Sequence, residues 1–274
     1  MNWTIRRSLG TWMLLLTAVT ITAGCGDDDP GAYGLVWSDE FDGPAGQLPD
    51  PTKWAFDIGT GWGNNQLEFD TNRPQNVSLD GDGNLAIVAR EEAYQGRSYT
   101  SGRIKTQNLF SRRYGRFEAR IKLPVGQGLW PAFWLLGADF DQVGWPECGE
   151  IDIMEYRGQE PRKVLGSLHG PGYSGGGAVS GEFVTPDPDG LHTDFHIFAI
   201  EWDERRIVWY LDDIQYQSVA RNELPVGGRW VYDHPFFIIL NVAVGGNFVG
   251  PPNDTTEFPQ TMLVDYVRVY GFGE

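Results

Sequence analysis

Short segments with the pattern of β-strands recur roughly every 8–15 residues along this chain, and they constrain its fold more than any other feature. Apolar and polar residues alternate cleanly over 114–122 and 195–202, and residues 236–244 are almost continuously apolar. No long amphipathic helix is evident, and the chain contains 36 Gly and 17 Pro, which suits tight turns. The pattern predicts an all-β protein in which two sheets pack face to face or close into a barrel.

The domain organisation is simple. From residue 33 to the end we find no linker rich in Ser or Pro, no internal repeat and no block of like charges. A chain of this length fits one all-β domain as well as two smaller domains, and the absence of a linker favours one. We therefore predict a single domain over residues 33–274.

One predicted strand, residues 150–155, carries three carboxylates. Glu150, Asp152 and Glu155 are separated by apolar residues. Like charges this close raise one another's pKa and give a sheet no structural benefit. Chemistry that needs an ionised carboxylate beside a protonated carboxylic acid explains the arrangement. An acidic sheet edge or a metal site is the alternative.

The spacing of these acids predicts an irregularity in the strand. In a regular strand Glu150 and Asp152 share a face, but Glu155 points the other way. A one-residue bulge at Ile153–Met154 returns Glu155 to the acidic face. The two glutamate carboxyl groups could then approach to about 5–6 Å, the separation of a retaining glycosidase.

Aromatic, amide and basic residues near this strand indicate a sugar-binding surface. Sugar rings stack on flat aromatic side chains, while polar groups bind the hydroxyls. The loop 61–66 contains Asn65, and Trp130 and Trp134 share a face just before the acidic strand. We expect His169 to contact Asp152 or sugar. Arg103 either reaches the groove or forms a surface ion pair.

The N-terminal residues 1–24 have the pattern of a secretory signal, with Arg6 and Arg7 before an apolar stretch. Small residues precede Cys25, which resembles the cleavage box of bacterial lipoproteins and implies lipidation of Cys25. Residues 25–32 then form a tether, and the protein is exported to the cell envelope or cell surface. Ordinary cleavage that leaves a free thiol is the alternative. Cys148 has no partner left, so we expect no intramolecular disulfide.

The net charge restricts the partners. The formal charge is −16 at pH 7, which disfavours nucleic acid, anionic membranes and polyanionic substrates. We predict a neutral polysaccharide as the partner, membrane contact only through the lipid anchor, and a monomer.

Taken together, the motifs resemble glycoside hydrolase family 16, and within it the bacterial laminarinase-type endo-β-1,3-glucanases. The resemblance covers almost all of residues 37–270 and rests on five segments: 61–65, 114–120, 130–134, 149–155 and 240–246. It implies a concanavalin A-like β-jelly-roll sandwich with substrate in a concave cleft. It also implies Glu150 as nucleophile, Glu155 as general acid and base, and Asp152 as the residue between them.

The resemblance implies no cofactor for catalysis but a structural calcium ion, for which Asp265 matches best and Glu40 and Gly83 match less well. The expected activity is retaining endo-hydrolysis of β-1,3 linkages in β-glucans such as laminarin. Hydrolysis of mixed-linkage β-1,3-1,4-glucan, transglycosylation, and non-catalytic binding by a lectin of the same fold remain alternatives.

Overall fold

The computed structural model describes residues 33–272. The predicted signal segment, the tether and Cys25 lie outside the described residues. Within 33–272, no helix has the length and apolar character needed to cross a membrane.

Strands dominate the described part of the chain, as predicted. In chain order they are β1 (Tyr33–Asp39), β2 (Ala55–Phe56), β3 (Glu68–Asp70), β4 (Val77–Leu79), β5 (Leu85–Tyr94), β6 (Arg97–Ser101), β7 (Arg103–Lys105), β8 (Gly115–Lys122), β9 (Leu129–Gly137), β10 (Glu150–Tyr156), β11 (Lys163–His169), β12 (Val179–Val184), β13 (His196–Trp202), β14 (Arg206–Leu211), β15 (Ile214–Ala220), β16 (Phe236–Val244) and β17 (Gln260–Phe272). One short helix, α1 (Phe140–Val143), and two 3-10 turns, Gly175–Gly177 and Arg221–Glu223, accompany them.

The strands form two sheets. One has ten strands and runs β15-β14-β13-β8-β17-β5-β6-β3, with β1 added on β17 and β4 on β5. The other has seven strands in the order β12-β11-β10-β9-β16-β7-β2. The acidic strand β10 lies inside the second sheet and is hydrogen-bonded to β9 on one side and to β11 on the other. Its side chains therefore have neighbours on both sides.

The main hydrophobic core lies between the two sheets. Ile151 and Ile153 of β10 and Phe133 of β9 point into it and are fully buried, together with Ile200 and Trp209 from the facing sheet. Alternation along β10 therefore buries Ile151 and Ile153 and leaves Glu150 and Asp152 on the opposite face. We call that opposite face of the seven-stranded sheet the site face.

Two smaller apolar clusters lie on the site face, one toward each end of the strands. The first joins Leu136, Phe237 and Ile239 to Cys148, so it fastens the segment between β9 and β10. The second joins Trp130 and Ala243 to Val249, with Phe248 packed against them, and fastens the segment after β16. The uncovered strip between these clusters holds the three acids.

Candidate active site

A bulge in β10 brings the three acids onto the site face. In β11, Ser167 lies opposite Asp152 and Leu165 lies opposite Glu155. Two residues of β10, Ile153 and Met154, therefore lie opposite one residue of β11, Gly166, and a register shift also occurs against β9. The predicted bulge is confirmed, and Glu150, Asp152 and Glu155 share one face.

A tryptophan of the facing sheet supports the bulge from beneath. The indole N–H of Trp209 donates to the main-chain carbonyl of Asp152 at 2.8 Å, within the core. Gly166 of β11 makes room for this ring, because a Cβ there would lie 2.4 Å from Trp209 Cδ1. The carbonyl at the irregular point of the strand is thus satisfied without water.

His169 links the first two acids. Its Nε2 lies 3.1 Å from Asp152 Oδ2 and 3.6 Å from Glu150 Oε1. The main-chain N–H of Gly175 donates to Nδ1 at 3.0 Å, so a neutral His169 carries its proton on Nε2, toward the carboxyl groups. Of the two contacts predicted for His169, with Asp152 or with sugar, the one with Asp152 is present.

Burial dominates the electrostatics of the three acids. It raises the pKa of Glu150, with Asp152 adding to the effect, to about 8. Burial also raises the pKa of Asp152 to about 8, and burial together with Asp152 raises the pKa of Glu155 to about 8. Because each anion opposes ionisation of the next, the trio titrates as a unit and retains protons at neutral pH.

Two donors contact Glu155. The indole N–H of Trp130 donates to Glu155 Oε1 at 3.1 Å. The hydroxyl of Ser167 donates to Oε2 at 3.5 Å and lies 2.9 Å from the hydroxyl of Ser180 on β12. Both donors favour the ionised carboxylate and oppose the effect of burial on its pKa.

Arg103 occupies the site face on the β7 side of the acids. Its guanidinium lies 5.2 Å from the ring centroid of Trp62 and 4.9 Å from that of Trp134. Nε donates to Asp57 at 2.9 Å, and the Trp134 indole donates to Asn241 at 2.8 Å. The arginine therefore reaches the groove and does not form a surface ion pair, since Asp57 itself is buried.

The whole arrangement has close counterparts among known proteins. The sequence model of the glycosyl hydrolases family 16 matches residues 59–268. This chain belongs to family 16.

Its relatives cover nearly the whole domain. A beta-glucanase of Rhodothermus marinus is 44% identical over 251 residues, spanning 88% of this chain and 86% of that protein. The catalytic domain of an endo-1,3-beta-glucanase (laminarinase) from Thermotoga petrophila is 46% identical with a TM-score of 0.84, covering 89% of this chain and 100% of that one. An endo-beta-1,3-glucanase from Pyrococcus furiosus is 43% identical with a TM-score of 0.84, covering 90% and 97%. The predicted jelly-roll sandwich is confirmed.

Within this family 16 domain, one predicted sugar contact needs correction. Trp130 and Trp134 do share the site face, but Trp130 is only 9% exposed because Phe248 and Val249 cover it. It therefore has little ring surface to offer a sugar. Trp134 keeps a partly exposed ring. Asn65 is exposed and donates to Asn247 at 2.9 Å, which joins its loop to the segment after β16.

Several residues of the site face were not predicted from the sequence, although the sequence positions of two of them indicate that they belong there. Ser167 precedes His169 by two residues and so shares its face, and Asn241 is a lone amide in an apolar run. Trp145 is 44% exposed, the one tryptophan among residues 33–272 with an exposed side chain. Its ring centroid lies 6.0 Å from that of His169.

The calcium ligands expected from the family resemblance already have other partners. The Asp265 carboxylate accepts from Arg120 at 2.6 Å, and the Glu40 carboxylate binds Arg268 at 2.7 Å. Calcium takes six to eight oxygen ligands, and each of these two carboxylates already faces a guanidinium group. The calcium site stays a prediction.

Proposed function

We propose that this chain is a retaining endo-glycosidase that hydrolyses β-1,3 linkages in neutral β-glucans such as laminarin. The observation that carries the proposal is the bulged strand β10, which presents Glu150, Asp152 and Glu155 side by side on the site face. Relatives named for β-1,3-glucan hydrolysis match this domain over most of its length.

The chemistry follows from the positions of the two glutamates. Ionised Glu150 attacks the anomeric carbon and forms a glycosyl-enzyme, while protonated Glu155 donates its proton to the departing glycosidic oxygen. Glu155 then removes a proton from the water that releases the sugar, so the configuration is retained. Asp152 and His169 hold Glu150 in position, because His169 Nε2 lies within reach of both carboxyl groups.

Binding groups lie on both sides of the acids, which favours cleavage within a chain. Arg103, Trp62 and Trp134 lie toward β7, whereas His169 on β11 and the exposed Trp145 lie on the other side of β10. Aromatic rings on both sides can stack sugar units before and after the bond that breaks.

Product analysis tests the proposal. We would incubate a protein of residues 31–274 with laminarin and with barley mixed-linkage glucan and identify the products. Early release of several short oligosaccharides from laminarin indicates endo-cleavage of β-1,3 linkages, and NMR of the first product reports its anomeric configuration. Release from the mixed-linkage polymer alone changes the substrate, and longer products with little reducing sugar indicate transglycosylation.

Isosteric amides provide the matched controls. Glu150→Gln and Glu155→Gln should each lower kcat on laminarin by at least about 100-fold while the protein stays folded. Full activity in either variant contradicts the assignment. A wild-type protein that binds laminarin but releases nothing is the result expected of a lectin.

We also propose that the protein is exported as a lipoprotein, on the strength of the apolar segment before Cys25. Labelled palmitate should enter the protein in cells that express the full chain. A Cys25→Ser variant should remain unlabelled, and equal labelling of both would refute lipidation at this cysteine.

A further inference from the structure

Trp130 is placed to act on Glu155 and not on the sugar. Its ring is covered, with a centroid only 4.8 Å from that of Phe248 and with Val249 packed beside it. Its one polar atom, the indole Nε1, faces Glu155 Oε1 at 3.1 Å. The packing therefore fixes the direction from which one donor meets this carboxyl group.

An indole N–H can only donate, so Glu155 Oε1 accepts from it in every protonation state. In a carboxylic acid the carbonyl oxygen is the better acceptor, and the proton resides on the other oxygen. Protonated Glu155 therefore carries its proton on Oε2. Its neighbour there is Ser167, whose Oγ is 3.5 Å away, a long contact that leaves the proton free for a substrate oxygen.

We infer that Trp130 is a positioning residue that selects Oε2 of Glu155 as the proton-donating oxygen, with Ser167 steadying that oxygen after the proton has left. The inference rests on the proposed function, because it assigns a role within that reaction.

The proton and the bonds balance in both halves of the reaction. As Glu150 forms its bond to the anomeric carbon, the glycosidic bond breaks and the proton moves from Glu155 Oε2 to the departing oxygen. The carboxylate that remains accepts from Trp130 and Ser167. In the second half, water bonds to the anomeric carbon, the bond to Glu150 breaks, and Oε2 regains a proton from that water.

The test uses substrates that differ in their need for an acid. Laminarin has a poor leaving group and needs protonation, whereas a dinitrophenyl β-laminaribioside has a leaving group that departs without it. Loss of one hydrogen bond to a charged group corresponds to about 10- to 100-fold in rate. Trp130→Phe should therefore lower kcat on laminarin by about 10- to 100-fold while changing formation of the glycosyl-enzyme from the aryl glycoside, measured as the dinitrophenolate burst, less than about threefold.

The pH profile gives a second readout. Removing a donor to the carboxylate raises the pKa of Glu155, so the basic limb of kcat/KM on laminarin should move to higher pH. Ser167→Ala should move it in the same direction. Trp134→Phe is the matched control, because the indole N–H that it removes lies on the same strand and face but donates to Asn241 and not to Glu155. This variant should lower the rates on both substrates alike and leave the basic limb in place.

If Trp130→Phe does not fold, replacement of Trp130 by benzothienylalanine removes only the N–H and keeps the ring shape. Equal losses on both substrates with an unmoved basic limb, in whichever of these variants folds, overturn the inference and leave the proposed function intact. A wild-type protein that hydrolyses neither substrate overturns the proposed function, and this inference with it.

Discussion

Replacing Glu150 by glutamine should make the protein more stable, and by an amount that grows with pH. The Glu150 side chain is only 18% exposed, and burial beside Asp152 raises its pKa from 4.5 to about 8. The folded protein therefore keeps a proton that the unfolded chain releases between these two pH values. Since the folded state binds more protons in this range, the free energy of unfolding falls as pH rises from 4.5 to 8.

The size of the effect follows from the same two pKa values. Relative to a side chain that stays neutral, the raised pKa of Glu150 lowers the free energy of unfolding by less than about 1 kcal/mol at pH 5 and by about 4 kcal/mol at pH 7.5, because only the unfolded chain ionises fully. Part of this cost is repulsion shared with Asp152, so we expect glutamine to gain about 2–3 kcal/mol between pH 5 and pH 7.5. For a domain of this size that corresponds to a rise in Tm of about 5–10 °C relative to wild type.

Scanning calorimetry of both proteins at pH 5 and pH 7.5 measures this difference directly. Glu182→Gln is the matched control, because Glu182 lies on β12 of the same sheet with a 55% exposed side chain, and its Tm difference from wild type should not change with pH. A Glu150→Gln difference that is the same at both pH values would refute the reasoning.

Three further predictions concern the same region. Because the pKa of Glu155 is raised to about 8 and the acid must be protonated to donate, kcat/KM on laminarin should fall as pH rises through about 8; initial rates from pH 5 to 10 measure this, and a decline already complete below pH 6 contradicts it. Gly166→Ala should destabilise the protein by about 1–3 kcal/mol and lower kcat, because the added Cβ would lie 2.4 Å from Trp209 Cδ1. Gly176→Ala is the control, because a Cβ at that position would have no atom within 4 Å. Equal Tm values for the two variants would count against the argument. Cys148 is fully buried and burial raises its pKa to about 12, so in residues 31–274 it should react with a thiol reagent at pH 7.5 only after denaturation; rapid labelling of the native protein contradicts this.

The sequence predicts those features of the fold that depend on local periodicity. The apolar run 236–244 coincides with β16, Phe236–Val244, and side-chain parity shows that Glu155 can join Asp152 on one face only through a bulge, which the structure contains. Parity also places Trp130 and Trp134 on one face. These inferences succeed because the two-residue repeat of a strand is a property of its own backbone.

The features that escaped prediction depend on contacts between distant segments. The role of Trp130 changes because Val249, more than a hundred residues later in the chain, covers its ring. Asn241 went unnoticed because β16 is buried on both faces, by the main core on one and by loops on the other, so its run of apolar residues gives no sign of which face carries the site. The two-residue repeat of a strand contains no information about which of its side chains a distant loop will cover.

The segments that carry Cys148 and Val249 form the walls of the substrate groove. The two apolar clusters attach these segments to the site face independently of the main core. Cys148 and Val249 anchor their segments to a handful of side chains that take no part in the main core. If such a segment opens or changes in length, only the contacts of its own cluster are lost, and the two sheets and the three acids keep their positions. Evolution can therefore alter which polymers fit, and how many sugar units are gripped at each end, without disturbing the catalytic strand.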